Sequence, residues 1–138
     1  MYLPYRRQER IFLRLGHTGM TPPNHRDCQT IVGVLARVGE KWTVLVVMTL
    51  RERPRRFNEL KRAVDGISQQ MLTRTLKALE RDGLVARTVH PTVPPQVEYS
   101  LTDLGHSLSE PVLELGGWAR AHLTAIYDNR EQYDRGNP

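Results

Sequence analysis

Apolar and polar residues between Ile67 and Gly83 recur with the period of an α-helix and fall on two opposite faces. At about 100° per residue, three leucines lie within about 60° of one another: Leu72, Leu76 and Leu79. The opposite face carries amides and cations: Gln70, Arg74, Lys77 and Arg81. Ser68 occupies an N-cap position, and Gly83 occupies the position where a left-handed residue ends a helix. The pattern predicts an amphipathic helix of about 14 residues.

Two helices are predicted upstream. The first runs from Gln29 to about Val38, where Gly39 interrupts the pattern. The second runs from Lys41 to Arg51 and is apolar nearly all round, so we expect it to be buried on most sides. Its apolar residues are Trp42, Leu45, Val46, Val47, Met48 and Leu50.

A short strand and a short helix separate these elements from the amphipathic helix. Pro54 ends the second helix, and residues 55–57 have room for only a very short strand. Asn58 to Val64 predicts a short helix with Leu60 and Val64 pointing inward, followed by an Asp65-Gly66 turn. A short helix, a tight turn and a helix with a basic outer face form a helix-turn-helix arrangement.

The period changes from 3.6 to 2 after Gly83. Residues 84–90 and 96–101 alternate with β-branched enrichment, and prolines bound the connection between them. The pattern predicts a β-hairpin with a stiff tip. Such a tip can simply protect a sheet edge from aggregation. Beside a helix-turn-helix, it can instead be a wing that lies along the DNA backbone or in the minor groove.

The last helix is predicted to begin at Thr102-Asp103 and to carry a long apolar stripe. Pro111 and Gly116-Gly117 are expected to bend it. A three-helix domain has too little core surface to bury the whole stripe, so we expect a second subunit to cover it. The alternative is that the helix folds back on its own core. The candidate dimer-interface residues are Leu108, Val112, Leu115, Trp118 and Leu123.

Length and composition fit one soluble domain with appendages, because 138 residues with 39% apolar and 25% charged residues suffice for one core. The predicted fold is α+β and mainly helical, a winged helix-turn-helix with a two-stranded wing. Residues 1–27 form an arm or linker, 28–102 the core, and 103–138 a dimerisation helix and tail. The arm could reach phosphates or pair with a partner subunit. No apolar run approaches a membrane span or a signal peptide, so we expect a cytoplasmic protein.

The positive charge is concentrated in the middle of the chain. Residues 51–90 carry ten cations against five anions, whereas residues 1–50 have a net charge of +4 and residues 91–138 of −4. A basic block in a folded segment indicates a polyanion bound on one side of the molecule. Solvation of an exposed face is the alternative explanation.

The sequence contains little that indicates a catalytic site or a metal site. The five histidines are scattered, no glycine-rich phosphate loop occurs, and His25-x-x-Cys28 supplies two potential ligands where structural zinc needs four. We therefore expect no enzyme, no cofactor and no metal. The single cysteine excludes an intramolecular disulfide and leaves Cys28 either packed or available for pairing between chains.

Five short motifs, in this order and at close spacing, resemble the HxlR-type winged-helix transcriptional regulators of bacteria, which are relatives of the MarR regulators. The resemblance covers about Cys28 to Trp118. The motifs are Gly39-Glu40-Lys41-Trp42, Arg56-Phe57-Asn58-Glu59-Leu60, Gly66-Ile67-Ser68-Gln69-Gln70-Met71-Leu72, Leu79-Glu80-Arg81-Asp82-Gly83-Leu84-Val85 and Val93-Pro94-Pro95-Gln96-Val97-Glu98-Tyr99-Ser100-Leu101-Thr102. The resemblance implies a homodimer that places two recognition helices in successive major grooves of a pseudo-palindromic operator.

Carried over to this chain, the resemblance implies a set of DNA-contacting residues. Gln pairs with adenine, Arg with guanine, and Thr contacts a thymine methyl. The base-reading candidates are Ser68, Gln69, Gln70, Thr73 and Arg74, with Lys77 as a phosphate candidate. The backbone candidates, which fix register, are Arg55, Arg56 and Asn58.

Two positions depart from the family pattern. The family tends to have a basic residue where Gln96 stands, so wing contacts would be weaker here; the remaining wing candidates are His90, Thr92 and Gln96. The family also commonly has Cys-Pro where this chain has Cys28-Gln29. Some similar regulators sense oxidants or electrophiles through that cysteine. Arg26 and a helix N-terminus would favour the reactive thiolate, whereas Asp27 would oppose it.

The sequence thus predicts a dimeric DNA-binding regulator, acting as a repressor, with an oxidant or small molecule as a candidate effector. The alternative is a winged helix that docks an acidic protein partner, because fold does not fix function. The glutamines at the start of the amphipathic helix favour DNA, since amides suit base edges better than carboxylates.

Overall fold

The computed structural model describes residues 25–136, with side chains from Cys28 onward. The predicted arm at residues 1–27 therefore lies almost wholly outside the described residues. The chain divides into two compact units, Met1–Glu40 and Lys41–Pro138.

The first unit contributes one described helix, α1, at His25–Val38. It ends where predicted, and the Gly39 N–H donates to the Leu35 carbonyl at 2.9 Å. The predicted start at Gln29 was wrong, because the helix begins four residues earlier, at His25. Cys28 consequently lies within the first turn of α1 instead of preceding it.

The second unit contains the helix-turn-helix and the hairpin. Its elements are α2 Lys41–Glu52, β1 Arg55–Arg56, α3 Phe57–Ala63, α4 Gln69–Arg81, β2 Val85–His90, β3 Gln96–Leu101 and α5 Asp103–Gly136. The three strands form an antiparallel sheet in the order β1-β3-β2. The α+β winged helix-turn-helix predicted from the sequence is confirmed.

The core lies between α2, α3, α4 and the base of the sheet. Its most buried side chains, all at most 2% exposed, are Val46, Val47, Leu50, Leu60, Val64, Leu72, Leu76, Leu79 and Val85. The predicted burial of α2 on most sides is confirmed, with one apolar exception. Its residues are buried or half-buried except Lys41, Leu45 and Glu52, and Leu45 is 38% exposed.

Both ends of α4 are built as its sequence predicts. The Met71 N–H donates to Ser68 Oγ at 3.0 Å, which satisfies one of the first unpaired amides. Gly83 follows the helix with φ of +76°, and the Leu84 N–H donates to the Leu79 carbonyl at 2.9 Å. This is a Schellman ending, in which glycine accepts the left-handed conformation without strain.

Thr102 joins the end of α4 to the start of α5. Its hydroxyl donates to the Gly83 carbonyl at 2.6 Å and accepts from the Gly105 N–H at 3.1 Å, and its own N–H donates to the Leu84 carbonyl at 3.1 Å. Thr102 therefore caps α5 as predicted and also completes the ending of α4. We call Gly83, Leu84, Thr102 and Gly105 the α4–α5 joint.

A second link connects α2 to α5. The Arg51 guanidinium donates from Nη1 to Ser109 Oγ at 2.5 Å and contacts Glu110 Oε1 from Nη2 at 2.8 Å. Ser109 is fully buried, and its hydroxyl accepts from Arg51 while donating to the His106 carbonyl at 2.6 Å. The first two turns of α5 are thus fixed to the body of the unit. The whole of α5 is one helix of 34 residues, which continues through Pro111 and both central glycines.

The α4–α5 joint predicts a specific effect of a methyl group. A Cβ on Gly105 would lie 2.1 Å from the Leu84 carbonyl oxygen, a backbone atom that cannot move aside alone. We expect Gly105→Ala to lower the free energy of unfolding by about 1–3 kcal/mol, measured by urea denaturation.

Gly116→Ala in the same helix is the matched control. A Cβ at Gly116 meets no atom within 4 Å, and alanine favours a helix interior over glycine by about 1 kcal/mol. Equal destabilisation of the two variants would contradict the importance of the close approach at Gly105.

Candidate nucleic-acid interface

The outer face of α4 is exposed and polar, and its inner face is part of the core. Gln70, Arg74 and Lys77 are exposed, whereas Leu72 and Leu79 are fully buried. Burial of the leucines fixes the rotation of the helix about its axis, so the polar residues are held outward. Ser68 and Gln69 are also exposed at the N-terminal end.

Thr73 is half-buried at the side of this face. Its hydroxyl donates to the Gln69 carbonyl at 2.9 Å. Because that hydrogen bond already engages the hydroxyl, the methyl group is the part of Thr73 that remains for an apolar contact such as a thymine methyl.

Ion pairing divides the basic block into two groups. Arg51, Arg53 and Arg55 contact Glu110, Glu59 and Glu52 at 2.8, 3.2 and 2.7 Å. Among the described residues, the other seven cations of the block make no ion pair within 4.0 Å. They are Arg56, Lys61, Arg62, Arg74, Lys77, Arg81 and Arg87. These seven cations lie on β1, α3, α4 and β2, and no ion pair offsets their charge.

The structure separates the three backbone candidates. Arg56 and Asn58 are exposed at the start of α3. The Arg55 side chain is only 14% exposed and is paired with Glu52, and its buried Nε has no hydrogen-bond partner among the described residues. Arg55 is therefore poorly placed to reach a phosphate.

Glu59 strengthens the start of α3 beside these residues. Its Oε1 accepts from the Arg56 backbone N–H at 3.1 Å, and its Oε2 accepts from Arg53 at 3.2 Å. The hydrogen bond from the Arg56 amide, followed by the one from Arg53, lowers the pKa of Glu59 from its usual value. The carboxylate partly offsets the charge of Arg53.

The three wing candidates lie at one end of the hairpin, and two of them contact other residues of the same hairpin. His90 Nε2 lies 3.7 Å from Glu98 Oε1, and the Thr92 hydroxyl donates to the Pro94 carbonyl at 2.8 Å. His90 pairs with Gln96 in the register of β2 and β3, and both are half-buried. Glu98 places a carboxylate on the same hairpin, so the wing is less basic than α4.

One residue that the sequence analysis did not select lies beside the outer face of α4. Arg87 is exposed on β2 and pairs in register with Tyr99 on β3. Both line a groove of about 320 Å³ together with Thr73, Lys77 and Glu80 of α4. The alternation of side chains along β2 could have pointed to Arg87. It falls on the same face of the hairpin as the buried Val85, where an apolar residue is expected.

Comparison with known proteins places this geometry in a family. A family model described as HxlR-like helix-turn-helix matches residues 37–127. The chain belongs to the HxlR family. The resemblance predicted from the five motifs is therefore confirmed, and the protein is a helix-turn-helix transcriptional regulator.

Relatives of this HxlR-family chain align over most of their own length. The uncharacterized HTH-type transcriptional regulator YtfH of Escherichia coli (strain K12) is 43% identical over 99 residues, which cover 72% of this chain and 79% of YtfH. A structure of the transcriptional regulator ytfH from Salmonella typhimurium is similar with a TM-score of 0.67 and 42% identity, covering 73% of this chain and 90% of that one. The redox regulator HypR in its reduced form has a TM-score of 0.67 and 36% identity, covering 72% and 98% of the two chains.

The predicted dimer-interface residues of this HxlR-family protein fall into two groups. Val112 is 9% exposed and Leu108 is half-buried, so both pack largely against their own chain. Leu115, Trp118 and Leu123 are 68%, 55% and 45% exposed. The Trp118 ring stacks on His122, with ring centroids 4.6 Å apart. The apolar surface of α5 that needs a cover therefore lies mainly beyond Pro111.

Cys28 of α1 is fully buried. The side chains of Arg26 and Asp27, which were expected to act on its thiol in opposite directions, lie outside the described residues. Burial restricts access to the thiol, and reaction with an oxidant would require a local opening of this segment.

Residues 25–136 contain neither a cluster of metal ligands nor a membrane-spanning helix. No group of three or more His, Cys, Asp or Glu side chains in that range could hold a metal ion. No helix there is long and apolar enough to cross a membrane.

Proposed function

We propose that this HxlR-family regulator is a homodimer that binds a pseudo-palindromic operator in duplex DNA and represses transcription by occupying promoter sequence. The observation that carries the proposal is the outer face of α4. Gln70, Arg74 and Lys77 are exposed, neither Arg74 nor Lys77 has an ion-pair partner within the described chain, and the leucines behind them are fixed in the core.

The proposed interface assigns base contacts to the N-terminal half of α4. Arg74 suits the O6 and N7 acceptors of guanine, and Gln70 suits the N7 and N6 groups of adenine. Ser68, Gln69 and Thr73 are the neighbouring candidates. Each well-formed bidentate pair discriminates against the wrong base by about 1–3 kcal/mol.

Backbone contacts are assigned to polar and basic residues outside the base-reading set. The candidates are Lys77 on α4 and Arg56 and Asn58 at the start of α3, with the wing residues His90, Thr92 and Gln96 as candidates for the flanks. The unpaired positive charge supports this assignment, because phosphate contacts supply the part of the affinity that does not depend on sequence.

Dimerisation is assigned to the exposed part of α5. At about 1.5 Å per residue, a helix of this length spans roughly 50 Å. Leu115, Trp118 and Tyr133 fall within about 60° of one another on the helical wheel, and each is more than half exposed. In a two-fold symmetric dimer, this apolar stripe would pack against the same stripe of a second copy of the helix.

Oxidant sensing through Cys28 is the proposed regulation. HypR, to which this chain is similar, is named a redox regulator and has been solved in reduced and oxidised forms. With one cysteine per chain, two Cys28 thiols would lose two protons and two electrons to diamide or peroxide and form one disulfide between chains. The alternatives are a packed cysteine and a small-molecule effector.

Arg74→Ala tests base reading. We expect binding to a neighbouring intergenic fragment to weaken by about 5- to 150-fold, with a much smaller loss on scrambled DNA, measured by fluorescence anisotropy. Arg81→Ala, on the same face at the far end of α4, is the control and should change both affinities alike. Equal losses from Arg74→Ala on both DNAs would exclude base reading by Arg74.

Salt-independent binding, or no binding, by the unmodified protein would favour the acidic-partner alternative.

Leu115→Glu tests the dimer. A carboxylate buried in an apolar interface is strongly disfavoured, so the variant should sediment as a monomer at concentrations where the unmodified protein is dimeric. Thr124→Glu adds the same charge about 180° away on α5 and should leave the dimer intact. A dimer that survives Leu115→Glu would place the interface elsewhere.

Cys28→Ser tests the regulation. Diamide should change footprint protection by the unmodified protein and produce a chain-to-chain disulfide on a non-reducing gel, and the serine variant should show neither effect. If protection by the unmodified protein is the same with and without diamide, Cys28 is a packed residue and not a switch.

A further inference from the structure

The groove between α4 and the base of the wing has the size and lining of a small anion site. Its volume is about 320 Å³, and Phe57, Leu76 and the ring of Tyr99 contribute apolar groups to its lining. Lys77 and Arg87 line it from opposite elements, Lys77 from α4 and Arg87 from β2. The fold therefore brings two cations that are ten positions apart in the sequence to the same groove.

Both cations are available to a ligand. Neither Lys77 nor Arg87 has a carboxylate within 4.0 Å in the part of the chain that the structure describes, although nearby arginines are paired. Both are exposed. Tyr99 stands opposite Arg87 in the register of the hairpin, and Thr73 lies one turn before Lys77 on α4. Guanidinium and ammonium groups and the Tyr99 hydroxyl can donate to phosphate oxygens here, whereas the Thr73 hydroxyl already donates to the Gln69 carbonyl.

The groove adjoins the surface assigned to base reading. Lys77 belongs both to the outer face of α4 and to the groove, and it follows Arg74 by three residues, which brings it within about one helical turn, 5.4 Å along the axis. A phosphate held in the groove would therefore lie beside the bases that Arg74 and Thr73 approach. It would fix how deeply α4 enters the major groove.

We propose that this groove binds one backbone phosphate of the DNA duplex, with Arg87 and Lys77 as its two charged donors. The assignment rests on the proposed function and adds Arg87 to it. Arg87 stands at the base of the wing, whereas the candidates expected from the sequence lie toward its tip. It supplies basic character to a hairpin that has Gln96 where a cation was expected.

Glu80 adds a negative charge to the proposed phosphate site. Its carboxylate lines the same groove and makes no ion pair in the described chain. A phosphate in the groove meets this negative charge, so Glu80 weakens binding and keeps the contact from becoming strong on every DNA sequence. Removing the charge should therefore strengthen binding to all sequences.

The test measures affinity of the full chain for an operator-containing fragment and for scrambled DNA, each against salt concentration. Arg87→Gln should reduce the slope of log K against log salt by about 0.9 and weaken binding about eightfold at 0.1 M salt, equally on both DNAs. Arg87→Lys should retain most of the slope because the positive charge remains. Arg120→Gln, which removes an exposed cation from α5, is the matched control and should change neither quantity.

Glu80→Gln provides an independent test at an exposed position where folding is not at issue. We expect about a threefold gain in affinity on both DNAs, because a carboxylate near a phosphate costs about 0.7 kcal/mol at a high dielectric constant. Glu114→Gln on α5 is its control. Unchanged affinity in Glu80→Gln would contradict a phosphate in the groove even if Arg87→Gln failed to fold.

The outcomes separate this inference from the proposed function. An unmodified protein without salt-dependent binding would refute the proposed function. A steep slope that Arg87→Gln leaves unchanged would refute only the phosphate site. A changed operator preference in Arg87→Gln would show that Arg87 contacts bases. Calorimetric binding of inorganic phosphate without DNA, abolished by Arg87→Gln, would assign the groove to a free phosphorylated ligand instead.

Discussion

The α4–α5 joint determines how the two functional parts of the molecule are connected. A single side chain, Thr102, donates to the last carbonyl of the α4 ending and accepts from the first turn of α5. The missing Cβ of Gly105 lets α5 approach the Leu84 carbonyl, where a methyl would lie 2.1 Å away. Hydrogen bonds and steric fit therefore fix the direction in which α5 leaves the body of the protein relative to α4. In a dimer formed through α5, the separation of the two recognition helices follows from this geometry.

Selective ion pairing determines where the protein remains positively charged. The arginines around the end of α2 and β1 are paired with glutamates and serve the fold, as Arg51 shows by holding Ser109 and Glu110 of α5. The cations on the outer face of α4 and on β2 are left without partners in the described residues. A count of charges along the sequence treats these two groups alike. The folded chain separates them, and only the second group can neutralise a polyanion without breaking contacts within the protein.

The features that the sequence predicted are those set by neighbouring residues. The cap at Ser68, the glycine at position 83, the leucine face of α4 and the two-stranded hairpin depend on contacts within a few residues of one another. The features that it missed depend on distant segments meeting. Arg51 pairs with Glu110 only because α5 packs on α2, Gly105 matters only because α5 passes Leu84, and Arg87 joins Lys77 only once the hairpin packs beside α4. Val112 and Leu115 share one apolar pattern in the sequence, yet the first packs on its own chain and the second is exposed.

The two-residue strand β1 gives the hairpin a fixed base. Arg55 and Arg56 pair with Tyr99 and Glu98 of β3, so the hairpin is held on one side by β1 and continues directly into Thr102 on the other. Bending at the hairpin is thereby confined to the residues beyond these anchors, around the prolines of the tip. In the proposed complex, a change in the length or charge of the tip would therefore alter the contacts to the flanks of an operator while leaving the presentation of α4 to the bases the same.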